Sequence, residues 1–130
     1  MAAKPTVLAM VPCRDVRRET PQSFATIVEA TWSVRCDWIP ARFTEFKVYI
    51  AITEVHDPAG FRLRWGPADQ SERGYGMNLT VDTKSPLDAR EIIADLKGWE
   101  ITSPGQWVLD LYWQGQILMS RRIMVRRIDE

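Results

Sequence analysis

The stretch "PGQWVLDLYWQGQILMSRRIMVRRI", Pro104–Ile128, decides the fold. Trp107, Leu109, Leu111 and Trp113 share one parity, and Val108, Asp110, Tyr112 and Gln114 share the other. Side chains alternate across a strand, so this is a strand with one apolar face. Read as a helix, the segment would set Asp110, Gln114 and Gly115 among the large apolar residues without a clean stripe. Gln114-Gly115 then turns the chain, and "QILMS" and "RIMVRRI" return, which predicts a closing β-hairpin.

Working outward, the same period recurs. Thr26, Val28, Ala30, Trp32, Val34, Cys36 and Trp38 alternate with Glu29, Thr31, Ser33, Arg35 and Asp37, which predicts one long half-buried strand over 26–38. Trp32, Trp65, Trp107 and Trp113 fall on apolar parities and read as core. Phe46, Val48, Ile50 and Ile52 share a face, and "HDPAG" supplies turn chemistry before Phe61, Leu63 and Trp65. The expectation is a hairpin of Phe43–Val55 against Phe61–Trp65. Residues 66–74, "GPADQSERG", read as a polar loop. Tyr75, Met77, Leu79 and Val81 resume alternation.

One segment reads two ways. In "SPLDAREIIADLKGWEI", Ser85 can cap a helix with Pro86 in its first turn, which places one short helix or helical turn near 86–97. The same residues also read as a short strand ended by a turn at Gly98. In total about seven strands follow one another at short spacing, the signature of an all-β, antiparallel sandwich. A chain of 130 residues with no linker or repeat reads as a single domain over 1–130.

Three stretches, "VLAMVPCRDVRRE" leading into "FATIVEATWSVRCDWIP", "KVYIAITEVHDPAGFRLRW", and "PGQWVLDLYWQGQILMSRRIMV", together resemble a bacterial family of short proteins. That family is known as a domain of unknown function with an immunoglobulin-like sandwich. The resemblance implies an immunoglobulin-like fold for most of the chain. It brings no activity, ligand or site residue.

Composition narrows the function classes. Hydrophobic content of 45% and charged content of 26% are those of an ordinary globular protein. Seventeen basic residues balance seventeen acidic ones, against the net basic footprint of a generic nucleic-acid or anionic-membrane binder. "MAAKPTVLAMVP" is too short in its apolar part, and too interrupted by Pro5 and Pro12, for a secretory signal. No apolar run reaches a membrane span. A cytoplasmic location is expected. Cys13 and Cys36 read as two buried reduced thiols.

Chemistry-bearing patterns are sparse, and no catalytic residue, metal ligand or cofactor is assigned. The single His56 lies beside a turn with no nucleophile elbow in the chain. Two Cys and one His do not complete a zinc site. Glu29, Glu45, Glu54, Asp69, Glu72, Asp82 and Asp110 are scattered among arginines as on a solvated face. "GPADQSERGYG" matches neither the P-loop nor the dinucleotide fingerprint.

The arginines carry the functional expectation. Arg14, Arg17 and Arg18 sit near the first strand, and Arg121, Arg122, Arg126 and Arg127 line the last. First and last strands of a sandwich are often neighbours, so one edge could gather all seven. Arginine suits planar recognition of carboxylate or phosphate; the plainer account is that edge charges block aggregation. The expectation is a non-enzymatic protein-interaction or assembly module, with a protein partner or self-association into a homo-oligomer. The alternative is a ligand-binding sandwich, for carbohydrate above all, using Trp38 or Trp99 near strand ends as a stacking platform.

Overall fold

In the computed structural model, residues 4–21, 23–56, 59–69, 74–82 and 85–128 are described. Among them every regular element is a strand. The order is β1 (Thr6–Arg17), β2 (Thr26–Ala30), β3 (Ser33–Cys36), β4 (Ala41–Arg42), β5 (Lys47–Thr53), β6 (Ala59–Pro67), β7 (Tyr75–Val81), β8 (Arg90–Asp95), β9 (Glu100–Ile101), β10 (Gly105–Trp113) and β11 (Gln116–Arg127). A four-stranded sheet, sheet A, runs β2-β1-β5-β8, and a five-stranded sheet, sheet B, runs β3-β11-β10-β6-β7. β4 and β9 form a small separate ladder.

The chain is all-β, and the closing hairpin is as expected. β10 and β11 pair from Gly105↔Val125 to Trp113↔Gln116. Gln114 and Gly115 both have positive φ, 48° and 76°, the conformation that a two-residue hairpin loop demands. The inward parities of the two sheets meet in one core. Val48, Ile50 and Ile52 come from sheet A, and Leu63, Trp65, Trp107, Leu109, Leu111 and Ile123 from sheet B. Trp65, Trp107 and Trp113 are buried there.

Five expectations are corrected. The strand 26–38 is two strands in different sheets. β2 pairs with β1, after which Thr31 N donates to Pro12 O, Trp32 O accepts from Met124 N, and β3 pairs parallel with β11. Glu29, at φ 54°, lies in the left-handed region just before the crossing. Trp32 sits at that crossing and is 50% exposed rather than core.

Phe43–Val55 and Phe61–Trp65 do not form a hairpin. Both sides of β5 are occupied, by β1 and β8, and β6 pairs with β10 and β7 in the other sheet. Phe61, Leu63 and Trp65 thus join Ile50 and Ile52 in the common core instead of lying beside them in one ladder. Asp57 and Pro58 of the expected turn lie outside the described residues, as do residues 70–73 of the expected polar loop.

No short helix forms over 86–97. Ser85 makes one turn, its carbonyl accepting from Asp88 N and its hydroxyl from Leu87 N. The backbone then extends as β8, with Ile50↔Ile92 and Val48↔Ala94 in register. Ile92, Ala94 and Leu96 alternate toward the core, so period two wins over the loose helical spacing.

The strand count also rises from about seven to eleven among the described residues. The split of 26–38, the strand β8 and the two-residue strands β4 and β9 account for the difference.

Candidate functional site: an arginine face on sheet B

β1 and β11 approach each other, but each is an inner strand of its own sheet for part of its length. β2 pairs with β1 only from Cys13 onward, and β3 pairs with β11 only from Met124 onward. Along Thr6–Val11 and Gln116–Ile123, no described strand covers the outer side of either. Arg121 bridges this seam by donating from Nε to Met10 O at 2.9 Å. Leu8 and Ile117 are exposed alongside it. Arg121 shares the core parity of its strand, opposite Leu109, and an inward-pointing charge of this kind keeps an edge from pairing.

The seven arginines on and beside β1 and β11 differ in their partners. Those near β1 are taken up by carboxylates. Arg14 reaches Glu29 at 2.6 Å and Glu45 at 3.2 Å, and Arg17 reaches Asp15 at 3.0 Å. Arg18 pairs with Glu91, whose other oxygen accepts from the Tyr49 hydroxyl. Asp15 also takes Lys47 at 2.8 Å. The bonds from Lys47 and Arg17 hold the Asp15 carboxyl well below the usual carboxylate range. Tyr49 is pushed up to about 12 by burial and by its bond to Glu91. Through Asp15, Arg17, Arg18, Lys47 and Glu91 the outer face of sheet A thus carries paired charges.

On β11 the pattern is different. Arg122 and Arg126 are exposed on the outward parity of sheet B, and Arg122 bonds only the neutral amide of Gln106, at 3.0 Å. Arg127 follows at the strand end. The register places Arg35 of β3 directly beside Arg126. On the same outward face β6 adds Arg62, in register with Tyr112, and Arg64, in register with Asp110. Arg62 bonds the amide oxygen of Asn78 at 3.1 Å. Among the described residues, Arg35, Arg62, Arg122 and Arg126 reach no carboxylate within ion-pair distance.

Of the acids on this face, Asp110 is buried and accepts a bond from the Ser120 hydroxyl, and Asp82 is exposed just past the end of β7, beside Gly60 and Thr80. A shallow cleft of about 350 Å³ opens between Arg62, Arg64, Asn78, Thr80, Tyr112 and Gln114. Sequence reasoning singled out Arg122 and Arg126 but missed Arg35, Arg62 and Arg64. Their alternation with Val34, Leu63 and Trp65 was the available signal for their facing, though not for their gathering.

The two candidate stacking residues are unlike. Trp38 is 77% exposed at the lip of a cleft of about 590 Å³ that also includes Cys36, Pro40, Arg42 and Phe46. Trp99 is half-buried and stacked on Tyr75, with centroids 5.6 Å apart. Cys13 and Cys36 are buried free thiols, and burial raises both. His56 is exposed. Among the described residues no group of His, Cys, Asp or Glu could hold a metal ion, and no helix is long and apolar enough to cross a membrane. The chain matches no known family model and no curated protein.

Proposed function

We propose that this chain is a non-enzymatic protein-interaction module of immunoglobulin-like build that meets its partner through the β11 side of sheet B. One observation carries the proposal: Arg122 and Arg126 stand exposed on the last strand without a carboxylate among the described residues, whereas Arg14, Arg17 and Arg18 are neutralised within the fold. Exposed guanidiniums with unused donors suit recognition of another protein's acidic groups.

The immunoglobulin-like reading draws support from strand order. β6-β10-β11 follows the C-F-G order of such domains, β7 takes the place beside C, and β5-β8 follows B-E. β2 then takes the A position, with β1 an additional strand between it and β5. A cytoplasmic location and a homo-oligomeric or heteromeric complex belong to the same proposal.

Native mass spectrometry of the gently purified protein tests it. The expected result is a complex heavier than one chain that is lost in Arg122→Glu/Arg126→Glu while the melting temperature stays unchanged. Association indifferent to that double variant removes the β11 surface from consideration.

A second reading, carbohydrate or other ligand binding, is favoured by Trp38 alone, at the lip of its cleft. Quenching of tryptophan fluorescence by an oligosaccharide, abolished in Trp38→Ala, is its expected signature.

A further inference from the structure

The outer face of sheet B also constrains the chemistry of whatever lies on it. Arg35 and Arg126 sit side by side on β3 and β11, where like charges directly opposite destabilise a sheet. Four residues back on β11, about 13 Å at strand rise, is Arg122. Tyr112 of β10 pairs near the start of β11 and places Arg62 beside it on β6. The guanidiniums thus form an oblique stripe from the β3 corner to the β6–β7 corner, about 30 Å long at strand rise.

The partners on this stripe are neutral or self-contained. Arg122 and Arg62 each bond an amide oxygen, which satisfies one donor and leaves the charge uncompensated. Asp110 is buried beneath Ser120 and faces Arg64 in register. Between the arginines the face carries Ser33, Gly66, Gly76 and Val108, with Met124 and Gln106 between Arg122 and the Arg35–Arg126 pair. Gly76 leaves room for the Arg62 guanidinium, whose Nη2 would lie 2.5 Å from a Cβ built there.

From this arrangement we infer that the outer face of sheet B docks an extended acidic segment of a protein partner, laid along the stripe Arg35–Arg126–Arg122–Arg62. The inference rests on the interaction reading above and names the partner's chemistry. A segment of about nine residues at strand rise spans the stripe. Carboxylates of aspartate or glutamate accept the two parallel N–H bonds of a guanidinium fork. Nucleic acid fits less well. Single strands are held by stacking on aromatic platforms, and among the described residues the outward positions of these strands carry one aromatic ring, that of Tyr112.

The test uses the full chain and three fluorescent probes of matched length: a glutamate-rich peptide, its glutamine counterpart, and a single-stranded oligonucleotide. Anisotropy titrations at low salt should show the glutamate peptide binding at least about tenfold tighter than the glutamine peptide. That affinity should fall steeply as salt rises. Arg62→Ser/Arg126→Ser should weaken it about tenfold with an unchanged melting temperature, and Arg17→Ser, on the paired face, should leave it alone.

Equal binding of both peptides, or an equal loss in Arg17→Ser, overturns the inference. Tighter binding of the oligonucleotide overturns it in favour of nucleic acid. A protein complex that Arg122→Glu/Arg126→Glu dissociates, from a chain that ignores the acidic peptide, leaves the interaction module standing and retires the acidic segment. Peptide binding by a chain that forms no complex does the reverse.

Discussion

Trp65 and Trp107 stack in the core with ring centroids 4.9 Å apart and planes 25° from parallel. They come from adjacent strands of sheet B, one register step apart on the inward face, and Phe43 and Phe46 extend the cluster over Trp65. Their indole N–H groups differ. Trp107 Nε1 donates to Ser103 O at 2.9 Å, while Trp65 Nε1 is buried with no acceptor among the described residues. Phenylalanine at either site loses similar volume, but only at 107 does it also break a bond and orphan a carbonyl. Trp107→Phe should therefore cost about 1–2 kcal/mol more than Trp65→Phe, measured by urea denaturation. Equal costs would show that the Ser103 bond adds nothing.

The Tyr49–Glu91–Arg18 group predicts a pH dependence. In the unfolded chain Tyr49 loses its proton near 10.0, and in the fold only at about 12. The folded value is raised, so the stability it contributes is full below the unfolded value and is lost as pH climbs from there through the folded one. Wild type should lose stability over that alkaline window, and Tyr49→Phe should lose less. Ultraviolet titration of tyrosinate against thermal melts measures both. Identical alkaline limbs would remove Tyr49 from the account.

How much of this was legible in sequence follows from the range of each interaction. Trp107 to Trp113 and their return strand are local, so alternation and a turn at Gln114-Gly115 sufficed. The crossing at Thr31–Trp32 left the period intact, because β3 presents Val34 and Cys36 inward just as an unbroken strand would. Nothing local reports which sheet a strand joins. The same holds for Phe61, Leu63 and Trp65, whose alternation was right while their partner strand was not. Between Arg90 and Asp95, the cap chemistry of Ser85 competed with period two, and the vacant side of β5 decided it. The arginines were the least legible, since Arg18 finds Glu91 at a sequence separation of 73 and only folding separates paired from unpaired guanidiniums.

The acid side of sheet A supplies another prediction. Asp15 is held below its ordinary range by Lys47 and Arg17. A depressed folded value means that its contribution is present above the unfolded value and is lost as pH falls through the folded one. Asp15→Asn should flatten the acid limb of a stability–pH curve while lowering stability at neutral pH. An acid limb unchanged from wild type would place the sensitivity on other carboxylates.

At the closing hairpin, Gln114 holds φ at 48° and Gly115 at 76°. A non-glycine residue there is strained unless its side chain tolerates the left-handed region, as asparagine does. Gln114→Asn should stabilise the protein by a few tenths of a kcal/mol, and Gly115→Ala should destabilise it by about 1–2 kcal/mol. Denaturant midpoints of the two variants should move in opposite directions.

Two glycines of one strand region make a matched contrast. A Cβ on Gly74 would stand 1.5 Å from Trp65 O and 2.7 Å from Gly66 Cα, both backbone atoms of the paired strand β6. A Cβ on Gly76 would instead meet the tip of the Arg62 side chain. Backbone held in a ladder cannot move without breaking register, whereas a guanidinium swings aside. Gly74→Ala should cost about 1–3 kcal/mol or more, and Gly76→Ala less than about 0.5 kcal/mol. Because Gly76→Ala displaces Arg62 while sparing the fold, it should also weaken acidic-peptide binding. Equal destabilisation by the two would mean that Arg62 is fixed as firmly as the β6 backbone.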